Sequence, residues 1–96
     1  MNNISFAKLG FMNSKNIVVK DCSIDLLRMK SCSNITFINC SITRDLKFKE
    51  CQDIKFENCI IKKIVHVKST EITLDHCYIN KIKDWICEEN TPYYEG

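Results

Sequence analysis

Cysteine offers the richest chemistry in this sequence: seven of the 96 residues are cysteines, beside two histidines. Thiolates bind metal ions, form disulfides and act as nucleophiles. A zinc site usually draws on close pairs such as Cys-x-x-Cys, and the sequence has none. His76 and Cys77 are adjacent, so a strand would point their side chains to opposite faces. We therefore expect no catalytic residues, no metal site and no cofactor.

Four of the cysteines recur at a nearly fixed interval that extends over most of the chain. Cys22, Cys40, Cys59 and Cys77 are 18, 19 and 18 residues apart, and an isoleucine stands two positions after each. The motif Asn-Ile-x-Phe-x-Asn-Cys-x-Ile at 34–42 recurs in altered form at 16–24, 53–61 and 71–79. A fixed period near 20 residues is typical of stacked repeats. The periodic cysteines are then small, reduced core residues. A disulfide between stacked coils and a metal site are the alternatives.

Apolar residues within each period come in pairs two positions apart, with jumps of three or four between pairs. Because side chains alternate across a strand, each pair indicates one face of a short strand and each jump indicates a corner. The inward set predicted for the fourth unit is Ile54, Phe56, Cys59, Ile61, Val65, Val67 and Thr70. The pattern predicts an all-β fold, a single short parallel β-helix (β-solenoid) of about four to five coils of 18–19 residues.

The same spacing gives the domain organisation. It predicts a β-solenoid over residues 1–84 and a C-terminal cap and tail over 85–96, with Asp84 at an inward position and Trp85 at an outward one. With only two glycines and one proline, polar residues must form the corners. The corner residues that we predict are Asn13, Ser14, Asn34, Asp53 and Asn58. No signal peptide or membrane-spanning run is evident, so we expect a cytoplasmic protein without membrane contact.

The repeat resembles the right-handed parallel β-helix repeat of pectate-lyase-like proteins. The step of five from Ile17 to Cys22, Leu27 and Cys32 is also similar to pentapeptide-repeat proteins, whose four-sided coils stack a small residue at one inward position. This resemblance covers roughly residues 4–82 and implies an architecture rather than an activity, because such coils serve many functions. Some pentapeptide-repeat coils mimic DNA with a strongly acidic surface, which a formal net charge of +2 does not provide.

Basic side chains recur at the outward positions of one predicted strand. We name five of them the cationic ladder: Arg28, Lys30, Lys47, Lys49 and Lys68. Stacking like charges is unfavourable for folding, so the cationic ladder is a candidate partner-binding surface. The alternative is that the long side chains splay into solvent at little cost. Outward apolar residues, which would mark a protein contact if clustered, are Val18, Ile38, Ile60 and Tyr78.

These features favour a non-catalytic protein-binding module, a small inhibitor or adaptor such as a viral or phage-encoded anti-defence protein, that docks through a rigid solenoid face. The first alternative is binding of a polyanion or nucleic acid along the cationic ladder. The second is a polysaccharide-active β-helix fragment, whose acidic cluster would be Asp53, Glu57, Glu71 and Asp75. We also expect a homodimer formed end to end. The aromatic residues at its predicted dimer end are Trp85, Tyr93 and Tyr94.

Overall fold

Short strands follow one another along the whole described chain. The structure, a computed structural model, describes residues 4–86. Its strands are β1 (Ser5–Met12), β2 (Lys15–Lys20), β3 (Ser23–Lys30), β4 (Ser33–Ile38), β5 (Ser41–Glu57), β6 (Ile60–Asp75), β7 (Tyr78–Ile82) and β8 (Trp85–Ile86). All strand pairs in these residues are parallel. The prediction of an all-β parallel β-solenoid is confirmed, with about five turns and no helix in the described residues.

In-register pairing stacks equivalent residues from coil to coil into columns, and the inward columns form the core. One inward column is Phe6, Ile24, Ile42, Ile61 and Ile79. The aromatic column is the bulkiest, and the rings of Phe37 and Phe56 stack with centroids 4.9 Å apart and an interplanar angle of 9°. Both phenylalanines are fully buried. The core is therefore continuous along the solenoid axis, as expected when each repeat buries its apolar face against the next.

Two inward assignments in the fourth unit are wrong. The inward residue is Ile64, which is fully buried, whereas its neighbour Val65 is only half-buried. Leu46 pairs with Ile64 but Lys47 pairs with His66, so Val65 is an extra residue that bulges the strand. The segment from Lys68 to Thr70 is then one residue shorter than the paired segment from Lys49 to Gln52, and Thr70 is exposed. Ser69 takes the inward corner instead.

Eleven non-glycine residues in the described chain have a left-handed backbone, with φ between 52° and 59°. They lie in three corner columns: Asn13, Ser31 and Glu50; Asn16, Asn34, Asp53 and Glu71; and Asp21, Asn39, Asn58 and His76. Four of the five predicted corner residues are among them, and Ser14 is not. After glycine, asparagine and aspartate adopt the left-handed backbone most readily, so polar residues occupy the corner positions that glycine occupies in many other proteins.

The last described strand continues the parallel pairing. Trp85 pairs with Val67 in β6 and packs against the core, so the assignments of Asp84 as inward and Trp85 as outward are wrong. The cause is the bulge at Val65, which shifts the inward positions of β6 away from those that a fixed spacing along the sequence predicts. Residues 87–96, with Tyr93 and Tyr94 of the predicted cap, lie outside the described residues. None of residues 4–86 belongs to a helix that could cross a membrane.

Candidate docking face on the cationic ladder

The structure brings the five residues of the cationic ladder together on one surface. They form two parallel columns with His66: Arg28, Lys47 and His66, and beside them Lys30, Lys49 and Lys68. The five ladder side chains are exposed, and His66 is half-buried. Successive rungs are about 4.8 Å apart, the spacing of paired strands. The surface is thus a two-by-three array of basic groups on β3, β5 and β6.

No acidic side chain in residues 4–86 forms an ion pair with a residue of the cationic ladder. The ion pairs in these residues join Lys55 to Glu57 at 3.8 Å, His66 to Asp84 at 2.6 Å and His76 to Asp75 at 2.6 Å. Two unit charges about 5 Å apart repel by roughly 0.8 kcal/mol in bulk water and by about 3 kcal/mol at an effective dielectric of 20. The unpaired cations of the ladder therefore repel one another in the free protein, and an anionic partner would relieve that repulsion.

One end of the array carries a histidine–carboxylate pair that the sequence interpretation did not identify. His66 Nδ1 lies 2.6 Å from Asp84 Oδ2, and the two residues are 18 positions apart. This separation is one coil, but the count from the sequence places Asp84 inward, away from the outward His66. The pair closes the arginine–lysine column with a negative group next to β8.

The other end of the cationic ladder is neutral. Gly10 occupies the position above Arg28, and Met12 occupies the position above Lys30. Met12 is 67% exposed, which is unusual for so large an apolar side chain in a column of lysines. The basic surface is therefore limited to three rungs at the centre of the solenoid.

Shallow concavities lie on both sides of the cationic ladder. One is lined by Lys49, Lys68 and His66, by the polar residues Gln52 and Thr70, and by Ile86. The other is lined by Arg28 and Lys47 together with Leu26, Asp45 and Val65. Each concavity combines basic and apolar groups with one carboxylate, Glu50 in the first and Asp45 in the second. Such a mixture suits a protein side chain, whose stem is apolar and whose end is charged.

The six described cysteines are free thiols, of which five are buried and Cys77 is half-buried, and the predicted cysteine-rich core is confirmed. Each donates a hydrogen bond to the carbonyl two residues earlier, as Cys22 Sγ does to the Lys20 oxygen at 3.1 Å. Cys59 Sγ also reaches the Phe37 carbonyl of the preceding coil at 3.4 Å. Hydrogen bonds with the sulfurs of Cys40 and Cys77, together with burial, raise the pKa of Cys59.

The corner cysteine column ends in a serine. Burial raises the pKa of Cys51. Its backbone N–H donates to Ser69 Oγ at 3.1 Å, so the serine hydroxyl satisfies an inward-facing amide. In residues 4–86 no three His, Cys, Asp or Glu side chains are grouped as a metal site would require. The thiols are thus placed as small packing and hydrogen-bonding groups of the core.

The acidic residues of the polysaccharide alternative form two stacked pairs. Glu57 lies beside Asp75 in the paired strands, and Asp53 and Glu71 are stacked at the left-handed corner. Each later member has a partner: Glu71 accepts a hydrogen bond from Gln52 at 3.1 Å, and Asp75 is 2.6 Å from His76. The carboxylates of Glu71 and Asp75 therefore make hydrogen bonds within the fold.

The outward apolar residues do not form a single patch. Ile60 and Tyr78 are neighbours in paired strands, at 58% and 41% exposure. Val18 is 53% exposed on β2, a different strand set, and Ile38 is half-buried. The clustered apolar surface is thus limited to Ile60 and Tyr78, and the cationic ladder is the larger surface feature.

The sequence matches no protein-family model and no curated protein. The fold defines the class to which the molecule belongs, a parallel β-solenoid of about five turns with a cysteine-rich buried core.

Proposed function

We propose that this chain is a non-catalytic protein-binding module that docks its cationic ladder on an acidic surface of another protein. The observation that carries the proposal is the stacking of the five exposed basic side chains of the cationic ladder, none of which forms an ion pair within the described residues. A rigid scaffold fixes the spacing of the array, so little conformational entropy is lost when a partner binds. Small size and this single rigid face fit an inhibitor or adaptor, of which a viral or phage-encoded anti-defence protein is one form.

A protein partner is favoured over nucleic acid for two reasons. The formal net charge is only +2, whereas a nucleic-acid-binding domain usually carries a strong basic excess. No phenylalanine, tyrosine or tryptophan lies among the outward residues of β3 or of the paired parts of β5 and β6, so bases would have no large aromatic stacking platform there. The mixed apolar and basic concavities beside the cationic ladder also suit protein side chains better than a phosphate backbone.

The finer likeness to pentapeptide-repeat proteins is part of this proposal. It is supported by the step of five from Cys22 to Leu27 and Cys32, all three of which are buried. A four-sided coil of that kind would present the cationic ladder as one flat side. Cytoplasmic location is likewise part of the proposal and agrees with a core of free thiols, since the cytosol keeps thiols reduced.

The test is charge reversal on the cationic ladder. Binding of a partner captured with the native chain is then measured for the Lys47→Glu/Lys49→Glu variant and for a control, Lys20→Glu/Lys55→Glu, which changes net charge equally outside the cationic ladder. We expect the ladder variant to associate at least tenfold more slowly and to lose most of its salt dependence, while the control stays close to native. Equal binding by both variants would refute docking through the cationic ladder.

A nucleic-acid arm separates the alternative. Free single-stranded nucleic acid is titrated at two salt concentrations. Binding along the cationic ladder would give a slope of about −0.7 in log affinity against log salt for each phosphate contacted. We expect no such binding at physiological salt. Strong binding that the Lys47→Glu/Lys49→Glu variant abolishes would replace the protein partner by a polyanion.

A further inference from the structure

One carboxylate lies in line with the cationic ladder. Asp45 is on β5, two positions before Lys47 and four before Lys49, so strand alternation places the three side chains on the same outward face. Asp45 is half-buried, whereas both lysines are exposed. The middle row of the docking face therefore reads acidic, basic, basic, with about 6.7 Å between successive side chains.

The carboxylate of Asp45 has no cationic partner in residues 4–86. It takes part in none of the ion pairs and none of the side-chain hydrogen bonds there, although Arg28 and Lys47 line the same concavity. Glu50, the other carboxylate beside the cationic ladder, differs because it accepts a hydrogen bond from Ser31 Oγ at 3.3 Å. A half-buried carboxylate has lost part of its hydration, so a cationic group that binds Asp45 would stabilise it.

The concavity at Asp45 fits the side chain of a lysine or arginine. Asp45 pairs with Leu26 of the preceding coil, and Val65 of the following coil lines the same concavity. Both apolar residues are half-buried. A lysine or arginine carries a long apolar stem below its charged end. The stem would contact Leu26 and Val65 while the charged end reaches Asp45. A phosphate at this place would meet a negative charge instead.

The spacing of the row matches an extended segment of a partner. In extended backbone every second side chain points to the same side, also about 6.7 Å from the next. On a helix the neighbours on one face are about 5–6 Å apart, so three of them are shorter than the row. Rungs about 4.8 Å apart also let one carboxylate lie between two cations of neighbouring coils. Two alternate carboxylates can thus contact four ladder residues: Arg28 with Lys47, and Lys30 with Lys49.

We propose that the partner presents an extended segment with the charge order cation-x-acid-x-acid, in which a lysine or arginine and two acidic residues occupy alternate positions. The cation binds Asp45, and the two carboxylates bind the cationic ladder at Lys47 and Lys49. The segment can lie in either chain direction, because the order requires only that the cation is at one end. The inference rests on the proposed function and adds the chemistry of the partner: the order of its charges, and not only their sum, selects it.

Two peptides of equal composition test the order. The probe is a capped peptide with the sequence Lys-x-Glu-x-Glu, where x is threonine, and the control is Glu-x-Lys-x-Glu, which has the same length and net charge. Nuclear magnetic resonance titration of the native chain measures even weak binding. We expect the probe to bind about fivefold more tightly than the control. Equal affinities, or no binding by either peptide, would overturn the inference. Docking through the cationic ladder is judged separately, by the Lys47→Glu/Lys49→Glu variant.

A charge exchange at Asp45 tests the role of that residue. The native chain should prefer Lys-x-Glu-x-Glu over Glu-x-Glu-x-Glu, whereas Asp45→Lys should reverse the preference and weaken binding of the first peptide by about tenfold. Glu57→Lys, which makes the same charge change at the far end of β5, is the control and should keep the native preference. Far-ultraviolet circular dichroism shows that each variant keeps the fold. A native chain that binds Glu-x-Glu-x-Glu more tightly would have a face for any polyanion, and the proposed order would be wrong.

Discussion

At the scale of single residues, the corners have the most demanding backbone in this molecule. A left-handed conformation costs an ordinary L-residue roughly 1–2 kcal/mol, and less for asparagine or aspartate, whose short side chains hydrogen-bond locally. Asn34 and Asn16 show the benefit, because the Asn34 amide donates to Asn16 Oδ1 at 2.7 Å along the corner column. Glu71, in the same column, has the left-handed backbone without this advantage.

Replacing that glutamate should stabilise the protein. Glu71→Asn supplies the preferred corner residue and removes a like charge stacked on Asp53, at the loss of one exposed hydrogen bond from Gln52. We expect the free energy of unfolding to rise by about 0.5–1 kcal/mol and the melting temperature by a few degrees. Thr73→Asn, two residues along at an exposed strand position, is the control and should lower stability. A drop with Glu71→Asn would show that the corner is not strained.

Thiol protonation links the cysteine column to pH. Burial raises the pKa of Cys51 above its ordinary value of 9.0. Above about pH 9 the unfolded chain therefore loses a proton that the folded chain keeps. The stability from this group is complete below about pH 9 and is lost as pH rises further.

Urea unfolding between about pH 7 and 10.5 measures this loss. We expect the free energy of unfolding to be flat with respect to this group up to about pH 9 and then to fall by as much as about 1.4 kcal/mol per pH unit. Cys51→Ala is less stable at neutral pH but should show a shallower alkaline slope. Identical slopes for the two proteins would mean that the thiol ionises equally in both states.

At the scale of strands, the bulge in β6 decides which residues support the core. Ile64 is fully buried and Val65 is half-buried. Ile64→Ala should therefore cost about 2–5 kcal/mol, since it leaves a cavity in a closely packed interior, while Val65→Ala should cost less than about 1 kcal/mol. Thermal unfolding of the two variants decides between them. A larger loss for Val65→Ala would restore the strict count from the sequence.

The same strand shows what the sequence could and could not predict. Periodic Cys-x-Ile and Ile-x-Phe pairs specify the solenoid and most inward columns, because burial requires them to recur each coil. Ile64 and Val65 are adjacent and both apolar, so spacing alone cannot place the bulge; pairing with the neighbouring coils does. Nor does residue type show that Glu50 and Glu71 have left-handed backbones, since glutamate rarely does.

The candidate docking surface was predictable in part for a related reason. Outward lysines recur with the period, so their alignment in columns follows from the sequence once the coil is known. The pair of His66 and Asp84 was missed because the bulge displaced the count by one residue.

At the scale of the whole molecule, charge is distributed unevenly despite a formal net charge of +2. Basic groups collect on the cationic ladder, while carboxylates stack beside the Ile-x-Phe strands at Asp53 and Glu71 and at Glu57 and Asp75. Repulsion within each group acts over about 5 Å, well inside the screening length at low salt. The folded state therefore contains repulsion that the unfolded chain largely escapes.

Added salt should consequently stabilise this protein. Between about 0.01 and 0.15 M salt the screening length falls from roughly 30 to 8 Å, and we expect the free energy of unfolding to rise by about 0.5–1 kcal/mol. Lys49→Gln removes the middle lysine of its column and should raise stability at low salt and reduce the salt dependence. Lys15→Gln, an exposed lysine that pairs with Ser33, should change neither. Chemical denaturation with urea, which adds no ions, makes the measurement. Equal salt slopes for Lys49→Gln and Lys15→Gln would show that the lysines splay apart in solvent, so that a partner at the cationic ladder would relieve no repulsion.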